Sequence, residues 1–304
     1  MGSVMKTEIR ETVGENGENG ENGENGLVFN FEYYIPQELV SDIFTYLDVE
    51  SLVACQQVCR TWKSLIQSYV WRKKAEQKLR QTLPHDEKAS WIMYYKICKQ
   101  RPLKRNLIKN PCGNNGFRHW KILSNGGDRW TTESPPAGIP PLPTDLNVLT
   151  EDSCFVTSYG PCWASQEIDL IKEGCTEYLL DNIQPVIKIR EWYGCRWDCK
   201  AVYYNSIELL EDENIFDVSI VKAKKKFKDT LWHEKQNKWF KFEHVFKDYG
   251  PGLRKIVFNH GGQDSQFWAG HFGSKMTRAS IILEIPETYS GKNDLDNSTQ
   301  EAED

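Results

Sequence analysis

Between Ile35 and Trp71 the apolar positions keep a helical rhythm. Leu39, Ile43 and Leu47 recur every four residues, on one face of a helix that begins at Pro36, where a missing N–H is harmless. Asp48 ends that helix and is placed to cap a second, which carries Leu52, Val53 and Cys55; a third follows with Trp62, Leu65 and Ile66. Three helices in about forty residues bury little apolar surface, so several of these side chains are expected to stay uncovered for a partner. The periodicity continues through Leu79 and Leu83, breaks at Pro84 and resumes with Trp91, Tyr95 and Cys98 on one face, with Asp86 placed to start the later helix. This predicts a helical connector over residues 76–109.

From Asn110 the pattern shifts towards period two. Runs at 153–157, 186–191, 201–209, 238–246, 253–259 and 279–285 alternate or are rich in β-branched residues, with Gly, Pro, Asn and Asp between them. About nine such runs without long helices predict an antiparallel β-sandwich over 110–288. A short helix is expected within 170–182, with Leu179 and Leu180 facing inward, and the proline-rich stretch 134–143 reads as a loop. Four Glu-Asn-Gly triplets from Glu15 to Gly26 offer nothing apolar to bury, which predicts an unstructured tail over 1–28; the polar, acidic stretch 289–304 reads as a second.

Composition narrows the chemistry. The formal net charge of −5 gives no strong field for nucleic acid or anionic lipid. No apolar run approaches the roughly twenty residues that cross a bilayer, and the N-terminus lacks a signal-peptide core. Nine cysteines without a C-x-x-C pair suit a reduced, cytoplasmic protein with buried thiols and no metal or cofactor. Six histidines are scattered, with no H-E-x-x-H and no Ser–Gly elbow, so no catalytic arrangement is marked. His260 reads as a strand-end histidine before the Gly261–Gly262 turn, Glu211-Asp212-Glu213 as a hairpin tip, and the basic run 222–228 as a solvated strand end or loop rather than a nucleic-acid patch.

Eleven tryptophans and thirteen tyrosines are more informative, because several adjoin turn residues: Tyr159–Gly160, Trp192-Tyr193-Gly194, Trp197–Asp198 and Phe267-Trp268-Ala269-Gly270. Rings presented on loops can stack on the apolar face of a pyranose, with nearby carboxylates taking its hydroxyls. Most of the other tryptophans are expected to fill the sandwich core.

Two resemblances stand on these residues. Ile35-Pro36-x-Glu38-Leu39, Ile43-Phe44-x-Tyr46-Leu47, Leu52, Val58-Cys59-Arg60-x-Trp62 and Trp71 together resemble an F-box, over residues 29–75. The resemblance implies docking to a Skp-family adaptor, and through it to a cullin-RING ubiquitin ligase, with Pro36, Leu39, Ile43, Leu52, Val58 and Trp62 facing the adaptor or supporting that face. The segments 174–185, Glu191–Tyr193 with Asp198, Asp248–Arg254 (DYGPGLR), His260–Ser265 (HGGQDS) and Phe272–Gly273 are similar to the F-box-associated domain of the sugar-recognising F-box proteins. That likeness implies an α+β multidomain chain: three-helix box, helical linker and a ten-stranded, jelly-roll-like antiparallel sandwich with a sugar site on loops at one end. It further implies a non-catalytic substrate receptor that binds the inner chitobiose of high-mannose N-glycans on misfolded glycoproteins for ubiquitination and ER-associated degradation.

Carried over residue by residue, the sugar loop falls on Phe267, Trp268, Ala269 and Gly270. Trp268 is kept, while the family's tyrosine and lysine are replaced by Phe267 and Ala269, removing up to two polar contacts of about 1 kcal/mol each. An aromatic on the earlier loop falls at Tyr159, and an acceptor at Asp198. Two other readings remain open: a ligase receptor that recognises a protein surface after its sugar site has decayed, and a cytosolic lectin-like module without a ligase role.

Overall fold

The computed structural model describes residues 26–28, 34–83, 88–143, 153–213 and 219–287. Most of the Glu-Asn-Gly tail and the acidic tail expected over 289–304 lie outside the described residues. The chain divides into two compact units, Met1–Arg80 and Gln81–Asp304.

In the first unit, strand β1 (Gly26–Val28) pairs antiparallel with β2 (Tyr34–Pro36), which leads directly into helix α1 (Gln37–Tyr46). Pro36 occupies the N-cap of α1. Asp48 caps α2 (Val49–Cys55), accepting from the Ser51 N–H at 2.7 Å and the Ser51 hydroxyl at 2.8 Å. Cys59 Sγ accepts from the Trp62 N–H at 3.5 Å and opens α3 (Arg60–Leu65), which runs through a π turn (Ile66–Val70) into α4 (Trp71–Leu79). The core of this unit is Val40, Phe44, Leu52, Ile66, Val70, Trp71 and Ala75. Lys74 ties α4 to the end of α1 by donating to the carbonyls of Thr45, at 2.9 Å, and Leu47. The period-four stripe therefore does not face the core: Val40 and Phe44 point inward, and Leu39 and Ile43 point out.

The second unit starts with α5 (Trp91–Gln100), capped by Ser90, so the helical connector expected over 76–109 is shared between the units. Ten strands follow: β3 (Lys121–Asn125), β4 (Thr131–Glu133), β5 (Cys154–Val156), β6 (Cys162–Asp169), β7 (Val186–Gly194), β8 (Ala201–Glu213), β9 (Ser219–Leu231), β10 (Trp239–Phe246), β11 (Leu253–Asp264) and β12 (Lys275–Glu284). They form two antiparallel five-stranded sheets, ordered β10-β7-β12-β5-β4 and β3-β6-β11-β8-β9. The expected ten-stranded sandwich is the observed one. Turns at 170–174 and a helical segment ending in a π turn (Leu179–Ile183) replace the short helix expected at 170–182; Leu179 and Leu180 are buried there.

Alternation along the strands sends Ile187 and Ile189 of β7, Ile207 and Leu209 of β8, Ile256 and Phe258 of β11, and Ile281 and Leu283 of β12 inward. Aromatic rings join the sheets. Tyr193 of one stacks on Tyr203 of the other at 4.1 Å and 7°, and Phe155 meets His260 edge-on at 5.4 Å. A polar bridge crosses the same interior. Glu191 of β7 accepts from Tyr203 Oη at 2.5 Å and from Asn205 Nδ2 at 3.0 Å, and meets His260 Nδ1 at 2.6 Å. All four residues are buried; burial and the Glu191 charge push the Tyr203 hydroxyl well above its ordinary range, so it stays a donor.

Two local expectations are corrected. His260 is not at a strand end but inside β11, where it stacks flat on Trp120 at 4.3 Å. The glycines after it continue the strand: a Cβ on Gly262 would fall 2.0 Å from Ser274 Oγ, so they permit close approach rather than a turn. The basic run 222–228 is neither loop nor strand end but the middle of β9, at a sheet edge, where lysines deter unwanted strand pairing. Seven of the nine cysteines are buried, and burial pushes the thiols of Cys154 and Cys175 up to about 12.

Candidate functional site

The first unit presents an apolar surface. Leu39 is 54% exposed and Ile43 57% exposed, and Tyr46, Val53, Val58 and Pro36 are exposed as well. Trp62 is half-buried and packs edge-on against Phe44 at 4.9 Å, which holds the face from beneath. Leu52 is fully buried and supports that face rather than forming it. Of the six residues singled out from the sequence, four are at the surface, one is half-buried and one is core.

The second site lies at one end of the sandwich, where four loops meet: 126–130 between β3 and β4, 157–161 between β5 and β6, 195–200 between β7 and β8, and 265–274 between β11 and β12. Their contacts are specific. Buried Asp264, the last residue of β11, accepts from the N–H groups of Gln266 and Phe267 at 2.9 and 2.6 Å, which turns the chain into the last loop. Phe267 then takes a positive φ of 58°, throwing its ring outward. Ser158 Oγ donates to the Gly270 carbonyl at 2.7 Å and accepts from the Asp128 N–H at 2.9 Å, while Asp128 Oδ2 accepts from the Gly270 N–H at 2.5 Å. Gly160 meets the first loop so closely that a Cβ there would lie 2.4 Å from Gly127 N. The 195–200 loop is joined by the Ser265 N–H to the Lys200 carbonyl at 2.9 Å, and by the Lys200 N–H to Gln266 Oε1 at 3.2 Å.

On this frame Phe267 is 75% exposed and Trp268 is 41% exposed, with Ala269 exposed beside them. Trp268 is held edge-on by Phe272 at 5.6 Å; the Arg196 guanidinium lies over the same Phe272 ring at 4.8 Å. Arg196 in turn grips Asp198 with two hydrogen bonds of 2.8 and 2.9 Å. Trp268, Phe272, Arg196 and Asp198 thus form one continuous line. The hydrogen bond and charge of Arg196 hold the Asp198 carboxyl below its ordinary range, so it remains an ionised acceptor. Tyr159 is half-buried on the adjoining loop, with no ring contact to Trp268 among the described residues.

The sequence pattern did not mark Arg196, named Phe272 only within a resembling segment, and placed Trp197 among the loop aromatics. Trp197, beside Asp198, is 64% exposed and enlarges the aromatic rim. By contrast Trp192–Tyr193–Gly194, grouped from sequence with the loop aromatics, ends strand β7, and Tyr193 is buried.

Comparison with known proteins agrees with this layout. Residues 98–283 match the F-box associated region, and residues 33–77 match the F-box-like family. The chain belongs to the F-box proteins that carry an F-box associated region. It is 35% identical to F-box only protein 6 of Rattus norvegicus, covering 82% of this chain and 85% of that one. It is 35% identical to F-box only protein 2 of Bos taurus, over 82% and 83% of the two chains, and 32% identical to F-box only protein 44 of Homo sapiens, over 83% and 96%. Among solved structures, the chain aligns with a carbohydrate-binding module in complex with β-1,4-galactotriose at 12% identity and a TM-score of 0.35, over 60% of this chain and all of that one. An F-box docks a Skp-family adaptor and through it a cullin ligase. In this F-box protein the first unit is therefore the docking part of an SCF-type substrate receptor, a role that does not itself perform the transfer chemistry. No described helix is long and apolar enough to cross a membrane.

Proposed function

We propose that the loop end of the sandwich captures the chitobiose core of high-mannose N-glycans on misfolded glycoproteins, and that the F-box presents them for ubiquitination and ER-associated degradation. The observation that carries this reading is Trp268: a partly exposed indole held edge-on from behind, in line with an ionised Asp198. The ring would stack on an N-acetylglucosamine while Asp198 and loop backbone groups take its polar substituents. Tyr159, Phe267 and Ala269 would border the sugar. On this reading the box is 29–75, the connector 76–109 and the sandwich 110–288; the work takes place in the cytoplasm, on clients returned to it. Holding a client near a ubiquitin-charged enzyme makes transfer effectively intramolecular, which is what such a receptor contributes.

Capture of a high-mannose glycoprotein by the full chain, before and after glycosidase trimming, tests the proposal. Loss of capture on trimming, and on Trp268→Ala with the melting temperature unchanged, is the expected result. A second reading draws on Phe267 and Trp197, large apolar surfaces that offer no hydroxyl where a sugar loop would use one. It holds that this end grips a protein surface, and capture indifferent to glycan removal would favour it.

A further inference from the structure

The outer face of the β3-β6-β11-β8-β9 sheet carries an open cleft lined by aromatic and basic side chains, distinct from the four loops. Cross-strand register assembles it in two rows. In the first, Trp163 of β6, Gly261 of β11, Tyr204 of β8 and Lys228 of β9 stand side by side. In the second, Asn259, Ser206 and Lys226 occupy the same three strands β11, β8 and β9, one pair further along. An open cleft of about 540 Å³ lies over both rows.

The first row is a floor of aromatic rings. Trp163 and Tyr204 are half-buried and touch, with centroids 5.2 Å apart and planes tilted by 34°. Glycine between them is required: a Cβ on Gly261 would lie 2.3 Å from the Cys162 carbonyl oxygen and 3.0 Å from Trp163 Cδ2, so its absence lets the indole lie down on the sheet. An indole laid against a glycine keeps its other face turned from the sheet, the geometry that stacks on another flat apolar surface.

The second row and the edge strand give the floor its polarity. Lys224, Lys226 and Lys228 point to this face, two residues and so about 7 Å apart in sequence along the strand. They are not equivalent. Lys224 is paired with Glu208 opposite it, and Lys228 Nζ lies 5.2 Å from the centre of the Tyr204 ring. Lys226 has no carboxylate partner among the described residues, and it stands beside the hydroxyl of Ser206 and the amide of Asn259.

We propose that this face binds an acidic sugar residue: a hydroxylated ring whose apolar side stacks on Trp163 and Tyr204 and whose single acid group, carboxylate or sulfate, meets Lys226 and Lys228. The mixture of groups selects that class. One uncompensated lysine with a second beside it suits one acid group per ligand, whereas a polyanion would also meet the Glu208 carboxylate at the same face and a chain of net charge −5. Hydroxyl, amide and carboxylate around an aromatic floor match the hydroxyls of a sugar and serve an acidic peptide poorly. The inference does not depend on the loop-end reading.

The test is titration of the full chain with sialyllactose and 6-sulfated lactose against lactose, with an oligouridine RNA as the competing polyanion. Both acidic sugars are expected to bind, lactose at least about fivefold more weakly, since one charged contact is lost. Trp163→Ala should abolish binding of all three sugars. Lys226→Gln, on an exposed side chain that leaves the fold intact, should erase the preference for acidic over neutral sugar. Trp268→Ala should leave both acidic sugars bound as before, which separates this face from the loop end. Equal binding of lactose and its acidic counterparts, an unchanged preference in Lys226→Gln, or tighter binding of the RNA than of either acidic sugar would overturn the proposal.

Discussion

Leu39 and Ile43 stand on a ten-residue helix whose inward apolar side chains are Val40 and Phe44, whereas Phe267 and Trp268 stand on a loop of a ten-stranded sandwich. Both pairs face solvent, yet they mean different things. The helical unit is too small to cover its apolar residues, and its exposed stripe is a surface awaiting a protein. The sandwich has ample interior, with Phe155, Tyr203, Phe258 and Met276 fully buried, so an aromatic left outside it is not a shortage of core. Its loop rings are held in place by hydrogen bonds to Asp264, Ser158 and Asp128, which is how a scaffold presents a small-ligand site.

Substitutions that separate stability from binding sharpen the contrast. Leu52→Ala should produce the largest effect, lowering the stability of the helical unit by about 3 kcal/mol in a denaturant titration, because it empties a fully buried site. Ile43→Asp should leave stability within about 0.5 kcal/mol, as surface changes do. Its adaptor affinity should nonetheless fall by about thirtyfold or more in a pull-down or titration, the scale of a central interface residue. If Ile43→Asp instead unfolds the unit, its exposure is not a docking surface. Trp268→Ala should cost the glycan about tenfold in affinity with no change in melting temperature. Ala269→Lys should raise glycan affinity about fivefold by restoring one polar contact, and a null result would assign this end to a protein surface.

The smallest effect concerns pH. Asp198 has its carboxyl depressed by Arg196, so its contribution to stability is present above the unfolded aspartate value and is lost only as pH falls through the lower folded value. Glycan capture is therefore expected to hold across the ordinary carboxylate range and to decline below it, and Asp198→Asn should remove that decline.

These contrasts also explain which parts of the molecule the sequence disclosed. Asp48 as a cap and the period-two runs were legible because capping and strand alternation are local rules. A four-residue period cannot say which of two adjacent stripes is the core. Leu39/Ile43 and Val40/Phe44 are equally apolar, and only the rest of the unit decides that the second pair is buried. Trp268 was legible because it sits in a motif; Arg196 was not, because its seat on Phe272 depends on where two loops meet. Gly261 and Gly262 misled for a physical reason: glycine marks a turn or a crowded strand with the same letter. The lysines of β9 misled likewise, since an edge strand needs charge as much as a loop does.

The buried bridge of Glu191 with Tyr203, Asn205 and His260 has one more implication. It works as a rivet between the sheets, set in the strands a few residues inside the loop end, and a carboxylate so enclosed tolerates no sliding that would strip its partners. With strand alignment fastened inside the sandwich, residues at the rim can be exchanged over generations without loosening the body that bears them. A lysine lost at Ala269 and a tyrosine hydroxyl lost at Phe267 are changes such a rivet makes survivable, and related receptors built on it can drift apart in what they hold while remaining alike in shape.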